Sequence, residues 1–251
     1  MIESNSIQPP LWSEQISQQF IDFAEYFVPD RKIQMEIIRD LIPVVNHPIH
    51  VLEICCGEGL LAQTILDKRE DISIIGIDGS SAMLWKARQR LSSYGSRFQT
   101  FAFEISQIIW QEIDIPFHAV ISSLAIHHLD RVGKQRLYQD IYQHLMPGGV
   151  LIVADLVEPA SESSKQLAAE LWDQAVMHRS LELDCNLKAF EAFQNLHWNL
   201  FRFPDEMDIP SPLTDHFHWL AESGFQEIDT YWMRAGHAIY GGVKPRVPKT
   251  P

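Results

Sequence analysis

The sequence predicts an α/β fold, with a doubly wound, mostly parallel sheet of seven strands and an antiparallel hairpin at its C-terminal end. Two observations predict it. Between residues 49 and 157, five short apolar runs alternate with helical stretches, which is the pattern of successive β-α-β units. Near the C-terminus, two more apolar runs flank a short turn at residues 234–236, which is typical of a hairpin.

The first 45 residues are predicted to form two amphipathic helices. Apolar residues recur at helical spacing from Ile16 to Phe27, and Pro29 ends this pattern. Asp30 is placed to cap the second helix, which Pro43 ends. We expect residues 1–45 to form a helical lid.

The alternating region supplies the sheet and its connecting helices. Met146, Pro147 and the two glycines after them are typical of the end of a helix. The predicted strands are residues 49–56, 72–78, 98–105, 117–126 and 148–157, and the predicted helices are residues 60–69, 80–93 and 130–146.

Residues 158–207 interrupt the alternation, because only helical spacing is found there. We interpret them as a helical insertion that caps the substrate site. The core is then predicted to comprise residues 46–157 and 208–243, with a helix before the hairpin. Residues 244–251 are rich in proline and are expected to be a flexible tail.

The amino-acid composition argues against several classes of function. Of 251 residues, 46% are hydrophobic and 21% charged, which is typical of globular proteins, and the net charge of −13 argues against direct nucleic-acid binding. Three cysteines do not suit a disulfide framework, and no apolar run approaches the ~20 residues of a membrane span. We therefore expect a cytoplasmic protein without membrane association.

The first predicted βα turn is the most informative segment. A buried strand ends at the acid Glu53, and Cys55, Cys56, Gly57 and Gly59 follow before a helix begins. Glycines at such a turn allow a sharp bend and let a ligand approach the backbone closely. A turn without a ligand is about equally compatible with this segment alone.

A second acidic residue favours the interpretation in which this turn binds a ligand. Asp78 ends the second strand about twenty residues downstream, where a carboxylate can accept both hydroxyls of a ribose. Ser80 or Ser81 can cap the following helix, so Asp78 is predicted to be available to a ligand. Together the two segments indicate a nucleoside cofactor.

Charge then favours one kind of nucleoside. Glu58 places a negative charge where a dinucleotide would place its pyrophosphate. Glu53 can hold an ammonium by a charge-assisted hydrogen bond. A cationic sulfonium with an amino-acid tail suits this turn better, so the residues favour S-adenosylmethionine over NAD.

At this point the sequence resembles the class I S-adenosylmethionine-dependent methyltransferases, which have a Rossmann-like fold and release S-adenosylhomocysteine. Cys55 stands where the family's first motif has its first glycine, and this is the main departure. The resemblance is carried by Glu53–Gly59, Asp78–Leu84, Glu104–Ile105, 117–129, Leu145–Asp155 and Trp219–Gly242.

The resemblance assigns cofactor-binding roles, and we expect no metal. It implies a methionine site at the first turn, a ribose site at the end of the second strand, an adenine slot beside it and a sulfonium near the end of the fourth strand. The methionine site comprises Glu53, Cys55, Cys56, Gly57 and Gly59, and the ribose site comprises Asp78 and Gly79. The adenine slot comprises Met83, Glu104 and Ile105, and the residues near the sulfonium are Ser122 and Ser123.

The catalytic and substrate residues are predicted from position. His127 and His128 follow the fourth strand at the crevice end of the sheet, where an imidazole can act as a general base; helix capping is the alternative. Aromatic residues of the insertion, together with the N-terminal helices, are expected to line a substrate pocket. The candidates are Tyr26, Trp172, His197 and Trp198.

The sequence therefore predicts an enzyme that transfers a methyl group to an oxygen, nitrogen or carbon atom of a small molecule. One alternative is a tRNA-modification enzyme of the same fold, including one that produces a modified S-adenosylmethionine. Others are a catalytically inactive S-adenosylmethionine-binding protein and an NAD-dependent oxidoreductase. The oligomeric state is left open, with a homodimer as one option.

Overall fold

The computed structural model describes residues 14–103, 105 and 115–246. Its centre is a seven-stranded sheet in the order β3-β2-β1-β4-β5-β7-β6, in which β7 alone runs antiparallel to its neighbours. The predicted fold class is confirmed. The strands are β1 (Ile49–Ile54), β2 (Ile72–Asp78), β3 (Phe98–Ala102), β4 (Phe117–Ser123), β5 (Leu145–Leu156), β6 (Gln226–Arg234) and β7 (His237–Val243).

Helices cover both faces of the sheet. On one face Ile38, Ile65 and Ala87 pack on the strands, and on the other Leu137 and Trp219 do so. The helices are α1 (Glu14–Phe27), α2 (Arg31–Leu41), α3 (Leu60–Leu66), α4 (Ser81–Arg90), α5 (Arg131–His144), α6 (Glu162–Asp184), α7 (Lys188–Asn195) and α8 (Leu213–Ser223), with short 3-10 turns at Ser92–Arg97 and Ile126–His128.

The chain's turns follow from local chemistry. The hairpin between β6 and β7 turns at Ala235 and Gly236, whose φ angles of 52° and 75° are the two positive values of a type I′ turn. Gly224 ends α8 with φ 102°. Both turns lie where the sequence predicts them.

Three local predictions differ from the structure. Asp30 precedes α2 but makes no side-chain cap, because its carboxylate pairs with Arg234 at 2.7 Å. Helix α5 ends at His144, and Pro147 lies in the first part of β5. Lys244, assigned to the flexible tail, is held by its Nζ, which donates to the carbonyl of Tyr142 at 2.6 Å.

Apolar clusters lie on the two faces of the sheet, and a third apolar cluster lies outside the sheet and joins α1, α6 and α7. Trp172 of α6 is at its centre, and its indole N–H donates to the carbonyl of Phe27 at 2.7 Å. The ring of Phe193 in α7 packs against the rings of both Phe27 and Trp172. None of the described helices is long and apolar enough to cross a membrane.

Candidate functional site

The site lies at the carboxyl ends of the parallel strands. Because β1 pairs with β2 on one side and β4 on the other, the chain reverses its winding direction beside β1. In open α/β sheets, ligands bind in the crevice that this reversal opens. The loops after β1, β2 and β4 all reach it.

The loop after β1 is shaped by three residues in the left-handed region. Cys55, Gly57 and Gly59 have φ angles of 53°, 55° and 80°. A Cβ on Gly59 would lie only 2.7 Å from a methyl of Leu91, so glycine is needed there for α4 to pack. Cys55 adopts the same kind of angle with a side chain, at a cost of about 1–2 kcal/mol.

Glu53 is a buried carboxyl group at the end of β1, with 2% of its surface exposed. Its Oε2 has no hydrogen-bond partner within the protein. Burial, and secondly the nearby charge of Asp78, raise the pKa of Glu53 to about 8. A cation placed here would supply the missing partner.

Asp78 is not the unengaged carboxylate that the sequence predicts. Its two oxygens accept the backbone N–H groups of Gly57 at 2.9 Å and Ser80 at 2.8 Å. Ser80 does cap α4, as expected, by accepting the N–H of Met83. Asp78 therefore fixes both loops against each other, and its carboxylate still lies at the crevice.

Glu58 also differs from the expectation, because its negative charge is compensated. Its carboxylate is paired with Arg90 at 2.7 Å, and the same guanidinium donates to the Glu58 carbonyl. The loop therefore carries less free negative charge than the sequence indicates. The discrimination against a pyrophosphate falls mainly to Asp78, because Glu53, with a pKa of about 8, is mostly protonated at pH 7.

The other residues proposed to bind the cofactor differ in their burial and their contacts. Met83 is buried near Gly57, and Cys56 is buried with its thiol against Gly76. Ser122 is buried and donates to the carbonyl of Ile54, so its hydroxyl joins β4 to β1. Gly79 is exposed, Ser123 and Ile105 are half-buried, and Glu104 lies outside the described residues.

An aromatic cavity of about 170 Å³ adjoins the end of β4. Three of the residues predicted to bind the substrate, Trp172, His197 and Trp198, are among those that line it. Tyr26 does not reach it; its hydroxyl donates to Asp184, and its ring faces a separate cleft. The cavity is completed by Gln19, Phe20, Val28, Leu124, His127, His128, Leu156, Leu196, Leu200, Phe203, Asp205, Met207, Asp208 and His237.

His127 is held between two carboxylates. Its Nδ1 lies 2.5 Å from Asp155 and its Nε2 lies 3.4 Å from Asp208. Burial alone would lower the pKa of His127, but the two carboxylates outweigh it and raise the value to about 9. Since both ring nitrogens already face acceptors, the geometry argues against His127 as a general base in this arrangement.

Two residues of the cavity were not singled out from the sequence. His237 begins β7, and its Nδ1 faces the carbonyl of Ala235 at 3.0 Å. Burial lowers the pKa of His237 to about 4, so its imidazole is neutral at pH 7. Asp208 lies in the irregular segment before α8, 81 positions from His127. No spacing or pattern connects either residue to the site.

The site fits S-adenosylmethionine, which the sequence favours. The orphaned carboxyl oxygen of Glu53 sits where a cationic group would be stabilised, and the Gly57 backbone leaves space next to Met83. Asp78 presents a carboxylate at the end of the neighbouring strand.

Comparison with known proteins agrees with this geometry. Residues 51–149 match the family model described as a methyltransferase domain. The chain is 24% identical over 241 residues to the carboxy-S-adenosyl-L-methionine synthase of Desulfotalea psychrophila, covering 94% of this chain and 92% of that protein. It is 27% identical over 164 residues to the trans-aconitate 2-methyltransferase of an Acidovorax species, covering 62% of this chain and 59% of that protein.

Solved structures share the fold. An O-methyltransferase family protein from Burkholderia thailandensis superposes with a TM-score of 0.66 at 12% identity over 92% of this chain. The S-adenosylmethionine-dependent methyltransferase SibL, in its apo form, superposes with a TM-score of 0.59 at 16% identity over 86% of it. This chain spans 60% and 55% of those two proteins, respectively.

The matched domain and the relatives support an S-adenosylmethionine-dependent enzyme of the methyltransferase type. More particularly, residues 51–149 match the methyltransferase domain, the fold is of the Rossmann-like class I type, and the cofactor is S-adenosylmethionine. The resemblance stated from the sequence is thereby confirmed.

The strained loop gives a first test. Replacing Cys55 by glycine is expected to stabilise the protein by about 1 kcal/mol, because glycine adopts φ 53° without steric cost. Urea unfolding measures the change. Cys55→Ala keeps the left-handed strain and is the matched control; equal free energies of unfolding for the two variants would contradict the account.

Proposed function

We propose that this enzyme transfers a methyl group from S-adenosylmethionine to a hydroxyl or amino group of a small aromatic acceptor that is uncharged or cationic. The proposal depends on one observation. The aromatic cavity beside the cofactor crevice contains Asp205 and Asp208, and its described lining includes no lysine or arginine. Such a cavity repels an anionic acceptor and accommodates a planar, neutral or positively charged one.

The residues that bring donor and acceptor together are on adjacent strands. Leu124 lines the cavity and follows β4, and β4 pairs with β1 so that Ser122 lies opposite Ile54, next to Glu53. The sulfonium supplies an already activated methyl group. The protein therefore contributes mainly alignment of the acceptor atom at ~3–3.5 Å and exclusion of water.

A proton must leave the acceptor, which becomes strongly acidic as the methyl group arrives, so that even a weak base such as the neutral His237 ring can accept it. Its Nδ1 proton is directed at the Ala235 carbonyl, which leaves the Nε2 lone pair as the basic position of a neutral ring. Trp172 fixes the ring by an edge contact with centroids 4.7 Å apart. His237 therefore replaces His127 and His128 as our candidate general base.

A second candidate follows from the relatives named carboxy-S-adenosyl-L-methionine synthases, which match nearly the whole chain. A product of that kind carries a carboxylate beside the sulfonium, and a carboxylate in a buried site needs a cationic partner. The described cavity lining contains no lysine or arginine, and its His127 and His128 already face Asp208. We therefore favour methyl transfer.

The test combines calorimetry with product analysis. S-adenosylhomocysteine should bind at one site per chain, and S-adenosylmethionine with phenols or aromatic amines should yield S-adenosylhomocysteine and a methylated acceptor by mass spectrometry. His237→Gln should lower turnover and leave S-adenosylhomocysteine affinity unchanged. A sulfonium nucleoside heavier by a carboxylate group would establish the second candidate, and binding without any product would indicate an inactive binder.

A further inference from the structure

The mouth of the aromatic cavity contains a compact group of nitrogen and oxygen donors. His127 Nε2, His128 Nδ1 and an Asp208 carboxylate oxygen all lie within 4.8 Å of one another. The two imidazole rings are stacked obliquely with centroids 4.0 Å apart. His127 is buried, while His128 and Asp208 are half-buried and accessible from the cavity.

Two of the three distances within this group match the coordination sphere of a small metal ion. With metal–ligand bonds of ~2.0–2.2 Å, two ligands of a tetrahedral ion are separated by about 3.3–3.6 Å. Asp208 Oδ1 lies 3.4 Å from His127 Nε2 and 3.2 Å from His128 Nδ1. The two nitrogens lie within 4.8 Å of each other, so one ion can contact all three atoms after the side chains adjust.

The surroundings of His127 are those of a metal ligand. Its other nitrogen, Nδ1, lies 2.5 Å from Asp155 Oδ1, and this directs Nε2 toward Asp208. Asp155 is itself fixed by the backbone N–H groups of Ile126 and Leu156, at 2.7 and 2.8 Å. A carboxylate behind a ligating histidine orients the ring and increases its basicity.

The Asp208 carboxylate is presented by an anchored segment. The N–H of Ile209 donates to the carbonyl of His127 at 2.8 Å. Lys134, buried on α5, donates from Nζ to the Ile209 carbonyl and to Ser211 Oγ. The segment is thus tied to both the histidine turn and α5, so the donor positions are fixed before an ion arrives.

We propose that His127, His128 and Asp208 form a binding site for a divalent transition-metal ion of the Zn²⁺ type. Two imidazoles and one carboxylate suit Zn²⁺, Co²⁺ or Fe²⁺, whereas Mg²⁺ and Ca²⁺ require oxygen ligands. Binding replaces the proton between His127 Nε2 and Asp208 by the metal ion. A fourth position faces the cavity, where an oxygen or nitrogen of a small molecule can coordinate.

This inference does not depend on the proposed methyl transfer. Exchange of the His127 proton for a divalent ion adds one positive charge, and Asp205, Asp208 and the Asp155 carboxylate on His127 Nδ1 leave the loaded site without net positive charge. The competing interpretation is a purely structural hydrogen-bond network, because His128 Nδ1 also lies 3.1 Å from the Met207 carbonyl. Metal titration separates the two.

The full-length protein, freed of metal by chelation, is titrated with Co²⁺ and then with Zn²⁺. We expect one Co²⁺ per chain with a visible spectrum typical of nitrogen and oxygen ligands, and its displacement by one equivalent of Zn²⁺. Asp208→Asn and His128→Ala should each weaken binding at least 100-fold. His218→Ala, on the exposed face of α8, removes a histidine elsewhere and should not change it.

Folding is checked in each variant by circular dichroism and by S-adenosylhomocysteine affinity, which also tests the methyltransferase assignment separately. If a folded Asp208→Asn variant needs confirmation, His127→Gln provides a second ligand deletion with the same expected loss. Absence of stoichiometric binding by the wild-type protein, or binding that survives both Asp208→Asn and His128→Ala, would overturn the proposal.

Discussion

Glu53→Gln should make the protein more stable at pH 8 and at the same time weaken its cofactor binding. Glu53 has a pKa of about 8 in the folded state, against 4.5 for an exposed glutamate, because it is buried and lies near Asp78. The folded state therefore binds the proton more tightly. Stability associated with Glu53 is fully present below pH 4.5 and is lost as the pH rises to 8.

Glutamine does not ionise, so the free energy of unfolding of the Glu53→Gln variant lacks this pH dependence. The difference in free energy of unfolding between variant and wild type should be small at pH 5 and reach a few kcal/mol at pH 8, at about 1.4 kcal/mol per unit of pKa difference. Urea unfolding at several pH values measures it. Glu58→Gln is the control, since it removes the ion pair with Arg90 and should give no such gain.

Cofactor binding should change in the opposite direction. An ionised Glu53 beside the cofactor's cationic groups contributes a charge-assisted hydrogen bond of about 1.5–3 kcal/mol, so its loss should weaken S-adenosylhomocysteine binding about 10- to 100-fold. Wild-type affinity should increase from pH 6 to 8 as Glu53 ionises, whereas that of Glu53→Gln should be flat. Calorimetry decides: equal affinities, or parallel pH profiles, would refute this role for Glu53.

The sheet could be predicted from the sequence because its determinants are local. Strands buried on both faces appear as continuous apolar runs, and the hairpin turn at Ala235 and Gly236 uses residues adjacent in the chain. Local signals failed where a distant partner competes for a side chain. The carboxylate of Asp30 forms an ion pair with Arg234 instead of capping α2. The carboxylate of Asp78 accepts a hydrogen bond from the N–H of Gly57.

The cofactor crevice could likewise be located from motifs, but the rest of the cavity could not. His237 and Asp208 come from segments far from the fourth strand and reach His127 only through the three-dimensional path of the chain. Nothing in their neighbours' spacing distinguishes them from surface residues. Doublets such as His127-His128 are visible in the sequence, whereas the carboxylates that determine their chemistry are not.

Trp172→Ala should be the most destabilising substitution in the helices that cover the cavity. Trp172 is 2% exposed, packs against Phe193 and Phe201, and donates its indole N–H to the Phe27 carbonyl. Truncation leaves a cavity and an unpaired carbonyl, at a cost of about 3–5 kcal/mol. Urea unfolding gives the loss, and protease sensitivity near α1 shows whether its attachment is released.

Trp172→Phe isolates the hydrogen bond, because it retains most of the packing; we expect a loss of about 1–2 kcal/mol in the free energy of unfolding.

Trp198 allows the wall of the cavity to be tested with less loss of stability, since it is only half-buried and packs on Phe27 with centroids 5.3 Å apart. Trp198→Ala should weaken acceptor binding and leave S-adenosylhomocysteine affinity unchanged. If Trp198→Ala destabilises the protein more than Trp172→Ala, Trp172 is not the central contact of this cluster.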